Sequence, residues 1–340
     1  DSLAGVVIGL VLTVLFATAS YYGIEQPMRK KLAQFSASKA LLVLVSMVAV
    51  VYVGAWTVRQ FDGFTGRLSP YLQIVNDSIG ATNPLREKCQ GNTTKDTMGC
   101  QYGGERLGLM VMGDSHAQSI VRATEQALPN KQYHVLDWTM AGCPPWLGLN
   151  STDEHSRCKQ HVNKFFDQQK RLPREVPILL VARYSNYIEG PTEANLQKQA
   201  FVPELYLGEN PHTSRTVAFY HEMDTAVVQT ACTLAKYRPV YLLKPIPEMP
   251  ENVPKYLLKR HWMGLDAQVQ LPKAMYLQRH QRILRSMQQA QQQCGVKLLD
   301  PTPILCSKQT CFGSDAQGRP YYYDDDHLSL YGAEQLLPVL

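Results

Sequence analysis

Leu107-Gly108-Leu109-Met110-Val111-Met112-Gly113-Asp114-Ser115-His116 is the stretch on which the fold of this 340-residue chain turns. It opens as a short apolar run closed by a glycine, the mark of a buried parallel strand. Residues 117–128 behind it read as a helix. A serine in that turn stands at the strand's carboxyl end and beside a helix N-terminus. Backbone N–H groups there can stabilise a developing oxyanion. Gly113 permits the tight turn. The competing reading of Ser115 is an ordinary helix N-cap.

Working outward, the same alternation repeats. Residues 133–138, 176–182, 240–243 and 296–300 read as further strands, and 158–171, 222–236, 273–293 and 330–337 as helices. Such an order predicts an α/β fold, a three-layer sandwich with a parallel central sheet. Sheets of this kind place ligands at the carboxyl ends of their strands. Two stretches, 185–214 and 245–272, are longer than ordinary connections and are either functional loops or surface decoration. Upstream, residues 59–104 hold Gly63, Gly66, Pro70, Asn83, Pro84 and Gly91. A short helix is expected at 69–79, then linker and a disulfide-pinned loop.

A serine hydroxyl is a poor nucleophile until a base takes its proton. The base is found near the other end of the chain, in Asp324-Asp325-Asp326-His327-Leu328-Ser329. A histidine serves best when a carboxylate fixes its tautomer and stabilises the imidazolium. Asp324 and His327 are three apart, so one turn can bring both side chains together. This segment follows the fifth strand and precedes a helix, which puts it at the same sheet edge as Ser115. The acidic run also has the composition of a solvated loop or a calcium site. No EF-hand spacing follows it, and no bound metal is expected. His116 is expected to be a local structural or supporting residue rather than the base, since adjacent side chains on a turn rarely face each other. Tyr321, Tyr322 and Tyr323 suit a half-buried strand edge as well as stacking on sugar rings.

The N-terminus is of another kind. Residues 3–24 and 40–58 carry no charge, and each approaches the ~20 apolar residues a helix needs to cross a bilayer. Between them lie Arg29, Lys30, Lys31 and Lys39 against Glu25 alone, which predicts a cytoplasmic link. Everything after Arg59 then faces outward. A chain that starts outside, in mid-hydrophobic sequence, reads as part of a longer membrane protein. All eight cysteines lie in the outward part, where disulfides are favoured. Closeness in sequence favours Cys89–Cys100, Cys143–Cys158, Cys306–Cys311 and, by remainder, Cys232–Cys294, among about a hundred pairings. The net charge of +5 includes the basic link, and no basic block marks the outward part, which argues against nucleic acid as a partner.

The pairing of Gly113-Asp114-Ser115 with Asp324 and His327 resembles the SGNH hydrolase/transferase family, whose first motif block is G-D-S and whose last is D-x-x-H. The resemblance runs over 107–337 and implies an SGNH-like fold with Ser115 as nucleophile, His327 as base and Asp324 orienting it. It also implies an oxyanion hole. Beside the Ser115 N–H, Gly142 in Ala141-Gly142-Cys143-Pro144-Pro145 is the natural second donor, though turns favour glycine anyway. The family's G-x-N-D block is absent. Ala182-Arg183-Tyr184-Ser185-Asn186 stands in its place, with Asn186 and Arg183 as candidate donors.

Tyr21-Tyr22-Gly23-Ile24-Glu25-Gln26-Pro27-Met28-Arg29 resembles the final-helix signature of acyltransferase-3 membrane proteins, with its E-x-P-x-R pattern. Glu25 and Arg29 lie one turn apart, as an ion pair or as simple capping. Together the two resemblances imply an acyltransferase-3 protein with a fused SGNH domain. The expected division is 1–31 for a last acyltransferase-3 helix, 32–60 for a further span, 61–104 for a periplasmic linker and 105–340 for the SGNH-like domain. Such a protein sits in the bacterial inner membrane as a multi-pass chain with this domain in the periplasm. It O-acetylates an envelope glycan, lipopolysaccharide O-antigen being the expected acceptor and peptidoglycan the alternative. Acetyl-CoA is the implied cytoplasmic donor for the full-length protein, with no cofactor in this segment. The implied partners are the glycan, the membrane-embedded acyltransferase domain and the bilayer. Two rival functions keep the same fold: an esterase using water, and a non-catalytic module presenting glycan.

Overall fold

The computed structural model describes residues 3–89, 99–192, 202–265 and 267–340. Asp1, most of the loop between Cys89 and Cys100, and residues 193–201 within the long 185–214 connection lie outside the described residues. The chain falls into two compact units, Asp1–Ser69 and Pro70–Leu340.

In the first unit, helix Leu3–Ser20 passes through one widened π turn, Tyr21–Glu25, into helix Gln26–Leu32. Pro27 gives a cause for that turn: it has no N–H to donate, and its ring crowds the carbonyl one turn back. Glu25 and Arg29 pair at 3.2 Å. Helix Ala37–Gln60 follows. Residues Gly5–Leu32 and Ala37–Gln60 are long and apolar enough to cross a membrane, with mean hydropathies of 1.9 and 2.3. Most of their large apolar side chains are exposed, an arrangement suited to hydrocarbon rather than water.

The second unit is built on a six-stranded sheet. Its strands are β1 (Cys100–Gly103), β2 (Arg106–Gly113), β3 (Tyr133–Thr139), β5 (Ile178–Val181), β7 (Val240–Leu243) and β9 (Lys297–Leu299). They lie in the order β1-β3-β2-β5-β7-β9. β1 pairs antiparallel with β3, and all other neighbours are parallel. Short antiparallel pairs decorate it: β4 (Asn150–Ser151) with β6 (Leu205–Tyr206), and β8 (Gln270–Pro272) with β10 (Thr310–Phe312).

Alternation along β2 feeds two cores. Met110 and Met112 pack with Leu136, Trp138, Ile178 and Leu180 on one face, against helices Cys158–Gln168 and Val217–Ala235. Val111 turns to the other face with Leu179, Val181 and Leu243, against Ile120 and Val121 of helix Ser115–Gln126. That is the period of two expected of a strand, and each such buried side chain stabilises the fold by roughly 1.5–3 kcal/mol. Helices on both faces of a mostly parallel sheet make the three-layer α/β fold that the strand–helix order predicts.

All four disulfides follow the pairing by closeness: Cys89–Cys100, Cys143–Cys158, Cys232–Cys294 and Cys306–Cys311. Three elements differ from the sequence-based expectation. β1 lies in the stretch read as linker, because Cys100–Gly103 completes the edge of the sheet. Helix Val217–Ala235 starts before Glu222, where the Thr216 hydroxyl accepts from the Phe219 N–H. The stretch 245–272 contains helix Val253–Trp262, capped by Asn252 and entered through Pro254.

Candidate functional site

The turn that carries Ser115 is fixed by backbone packing. Gly113 ends β2 so close to β5 that a Cβ would stand 1.6 Å from the Val181 carbonyl oxygen. Asp114, not Ser115, is the cap of the following helix, its Oδ1 accepting from the His116 N–H at 2.8 Å. Ser115 is the first helical residue, so its hydroxyl is not occupied in capping. The other Asp114 oxygen, Oδ2, accepts from the Arg183 N–H and from the Tyr187 hydroxyl, each at 2.8 Å. One buried carboxylate thereby ties the end of β2 to the segment after β5.

His327 arrives from a segment with little regular structure. Its backbone is held from two sides: the Met249 and Val253 N–H groups donate to the carbonyls of Asp325 and Asp324 at 2.7 and 2.9 Å. Asp324 Oδ1 accepts from the N–H groups of Asp326 and His327 at 3.0 and 2.7 Å. Its other oxygen lies 2.9 Å from His327 Nδ1. His327 Nε2 lies 2.7 Å from Ser115 Oγ, across 212 residues of sequence. Ser115, His327 and Asp324 are thus brought together in the order the motif pairing predicts.

Two neighbours of His327 are not marked as its partners by any pattern in the sequence. Asp326 Oδ1 approaches Nδ1 at 2.6 Å, beside Asp324. Tyr323 stacks on the imidazole at 5.2 Å between centroids and 14° between planes. Arg86 donates to the Tyr323 hydroxyl at 3.2 Å. The neutral His116 ring lies 4.3 Å from that of His327. Burial first, then the charge of His327, push the His116 pKa down to about 3. For His327 itself burial acts downward, but the hydrogen bonds and charges of Asp324 and Asp326 raise it to about 10. Burial acts to raise Asp326, yet the hydrogen bond to His327 and the Arg183 guanidinium hold it below the usual carboxylate range. Asp325 is pushed up to about 6 by burial and by its two acidic neighbours.

Gly142, Asn186 and Arg183 all line the cleft that Ser115 and His327 open into, a space of about 740 Å³. Gly142 has φ of +71°, with open space where a Cβ would be. The Cys143–Cys158 disulfide pins its loop. The Arg183 guanidinium, however, is turned to the carboxylate side of His327. It pairs with Asp326 at 2.7 Å and Glu248 at 3.5 Å, and donates to Thr192 at 2.9 Å. Ser151, Asp153, Arg157 and Glu204 line the outer part of the cleft. Of the tyrosines, Tyr322 is fully buried and Tyr321 stacks on Tyr331. Asp324, Asp325 and Asp326 each offer an oxygen within 4.8 Å of the others, but two of the three carboxylates already engage His327.

Such a sheet, with a serine and a histidine meeting at its carboxyl edge, is the architecture of SGNH-type α/β proteins. Residues 88–340 match the family model described as SGNH domain (fused to AT3 domains), and the chain belongs to that family. Its fold is similar to three solved structures. The first is the periplasmic domain of a lipopolysaccharide acetyltransferase from Salmonella ser. Paratyphi A, at 15% identity and TM-score 0.48, covering 81% of this chain and 96% of that one. The second is a putative SGNH hydrolase from Slackia heliotrinireducens, at 12% identity and TM-score 0.35, covering 69% and 97%. The third is Est24, a carbohydrate acetylesterase from Sinorhizobium meliloti, at 12% identity and TM-score 0.36, covering 68% and 95%. No curated protein sequence matches the chain.

Proposed function

We propose that this chain is the acyl-transferring part of an envelope-glycan O-acetyltransferase, working through an acetyl ester of Ser115. The observation that carries the reading is the 2.7 Å contact of His327 Nε2 with Ser115 Oγ, backed by carboxylates on Nδ1. Neutral His327 accepts the Ser115 proton as Oγ attacks the acetyl carbonyl carbon. The oxyanion that forms is met by the N–H groups of Ser115 and Gly142, with Asn186 beside them. Its collapse breaks the bond to the donor's leaving atom, which takes the proton from His327. A sugar hydroxyl then gives its proton to His327 and attacks the acetyl carbon. Ser115 Oγ leaves with that proton, and the acetylated glycan departs.

Membership in a family whose SGNH domain is fused to AT3 domains supports an acyl group handed over from a membrane domain. Two helices apolar enough to cross a bilayer fit a domain tethered to that membrane. We place the domain in the periplasm, with lipopolysaccharide O-antigen as acceptor and the membrane acyltransferase domain drawing acetyl from acetyl-CoA in the cytoplasm. No step of this chain's residues needs acetyl-CoA itself. Water replacing the sugar would make the same site an esterase.

The test is to incubate the full chain with an aryl acetate, quench in acid and map peptides by mass spectrometry. An acetyl group on Ser115, absent in Ser115→Ala, is the expected result. Turnover of the ester with no acetyl on Ser115 at any quench time contradicts the relay.

A further inference from the structure

Two carboxylates face one imidazole nitrogen, and they are anchored differently. Asp324 is bound to its own segment, accepting from two local N–H groups. Asp326 is 4% exposed, and its outer oxygen meets Arg183 Nη1 at 2.7 Å. Behind Arg183 the charges continue to alternate: Glu248, 6% exposed, pairs with Arg183 at 3.5 Å and with Arg279 at 3.2 Å. Arg279 in turn donates to the Gly190 carbonyl at 2.6 Å. A row of charges this buried is costly to build unless each member is paired. It ends on His327 Nδ1, opposite the nitrogen that meets Ser115.

We infer that Asp326 is a second carboxylate positioning His327, and that Arg183 sets how much of the Asp326 charge His327 feels. Arg183 then acts on the base rather than on the oxyanion. The inference rests on the serine-relay reading above. The charged and titratable groups around the imidazole are Asp324, Asp325 and Asp326 on its own segment and Asp114 and His116 on the nucleophile turn. From the segment after β5, Arg183 reaches it through Asp326 and Tyr187 through Asp114, and Tyr323 stacks on it under Arg86. Among the described residues, Asp324 and Asp326 are the groups that touch Nδ1. An opposite charge at such range favours the protonated imidazole by one to a few pH units, roughly. Removing Asp326 therefore lets His327 become a neutral base at lower pH. Removing Arg183 leaves Asp326 uncompensated and holds His327 protonated to higher pH.

The experiment measures labelling of the full chain, in detergent, by a serine-directed fluorophosphonate across the pH range, with Ser115→Ala as blank. Labelling of the wild type is expected to rise with pH as His327 loses its proton. Asp326→Asn is expected to move the midpoint down by about one pH unit or more, and Arg183→Gln to move it up. Asp326→Glu and Arg183→Lys, which keep the charges, should return it toward the wild-type position and guard against misfolding. If Asp326→Asn and Arg183→Gln label more slowly at every pH with an unmoved midpoint, the inference is overturned, and Arg183 is an oxyanion donor or a structural residue. If the wild type does not label at Ser115, the relay itself fails.

Discussion

The nucleophile turn and the acid–base segment meet at a single hydrogen bond, yet they are held by opposite means. Gly113, Asp114 and Ser115 sit where a central strand becomes a helix. Their positions follow from β2 packing between β3 and β5, from the Asp114 cap and from the close approach of Gly113 to Val181. Tyr323 to His327 has almost no regular structure to rely on. It is held by backbone donors from 249 and 253, by the local turn on Asp324 and by side chains from three other parts of the chain. The difference assigns separate duties. The turn gives Ser115 a fixed place at a helix N-terminus, while the irregular segment carries the carboxylates that, in the proposed relay, govern how readily His327 gains and loses a proton.

Two substitutions probe the two sides, one through stability and one through rate. Gly113→Ala puts a methyl group against the Val181 carbonyl, so β2 and β5 must part. A destabilisation of about 3 kcal/mol or more is expected, read by denaturant unfolding of the full chain. Unchanged stability would mean the turn is less rigid than the packing requires. On the other side, Asp324→Asn should lower stability modestly near neutral pH, where it removes one charged partner of protonated His327, and cut acetyl transfer about 10⁴-fold, as when a triad aspartate becomes asparagine and leaves the histidine in the wrong tautomer. A cut of only a few fold would show that Asp326 serves in place of Asp324. The raised His327 pKa adds a sign that stability must obey. Stabilisation from its charged contacts is complete below the ordinary histidine pKa of about 6.5. It is lost as pH rises through the folded value of about 10.

The two regions also differ in how far the sequence reveals them. β2 and its turn are legible because an apolar run, a glycine and a helical pattern lie consecutively. Asp324 and His327 are legible because three-residue spacing brings their side chains together. Asp326 was in plain view within the same run, but nothing local says that a neighbour of His327 will fold back onto its Nδ1. That depends on Arg183, far off in sequence, drawing the Asp326 carboxylate inward. Arg183 stands out in the sequence as a possible donor because it fills the place of an absent motif block, and its direction can be read only from the fold. Helix Val253–Trp262 had a local signal, Asn252 followed by Pro254, hidden inside a stretch rich in prolines.

Whether Ser115 carries the acetyl group can be read in the O-acetyl content of surface polysaccharide. Cells would carry the full-length protein as wild type or as Ser115→Ala at matched expression, with the glycan measured by NMR. Loss of the acetyl signals in the variant is the predicted result, and the wild-type spectrum would then identify the acceptor sugar and hydroxyl. Acetylation persisting at the wild-type level would contradict the relay and leave this domain a glycan-presenting module or an editing esterase.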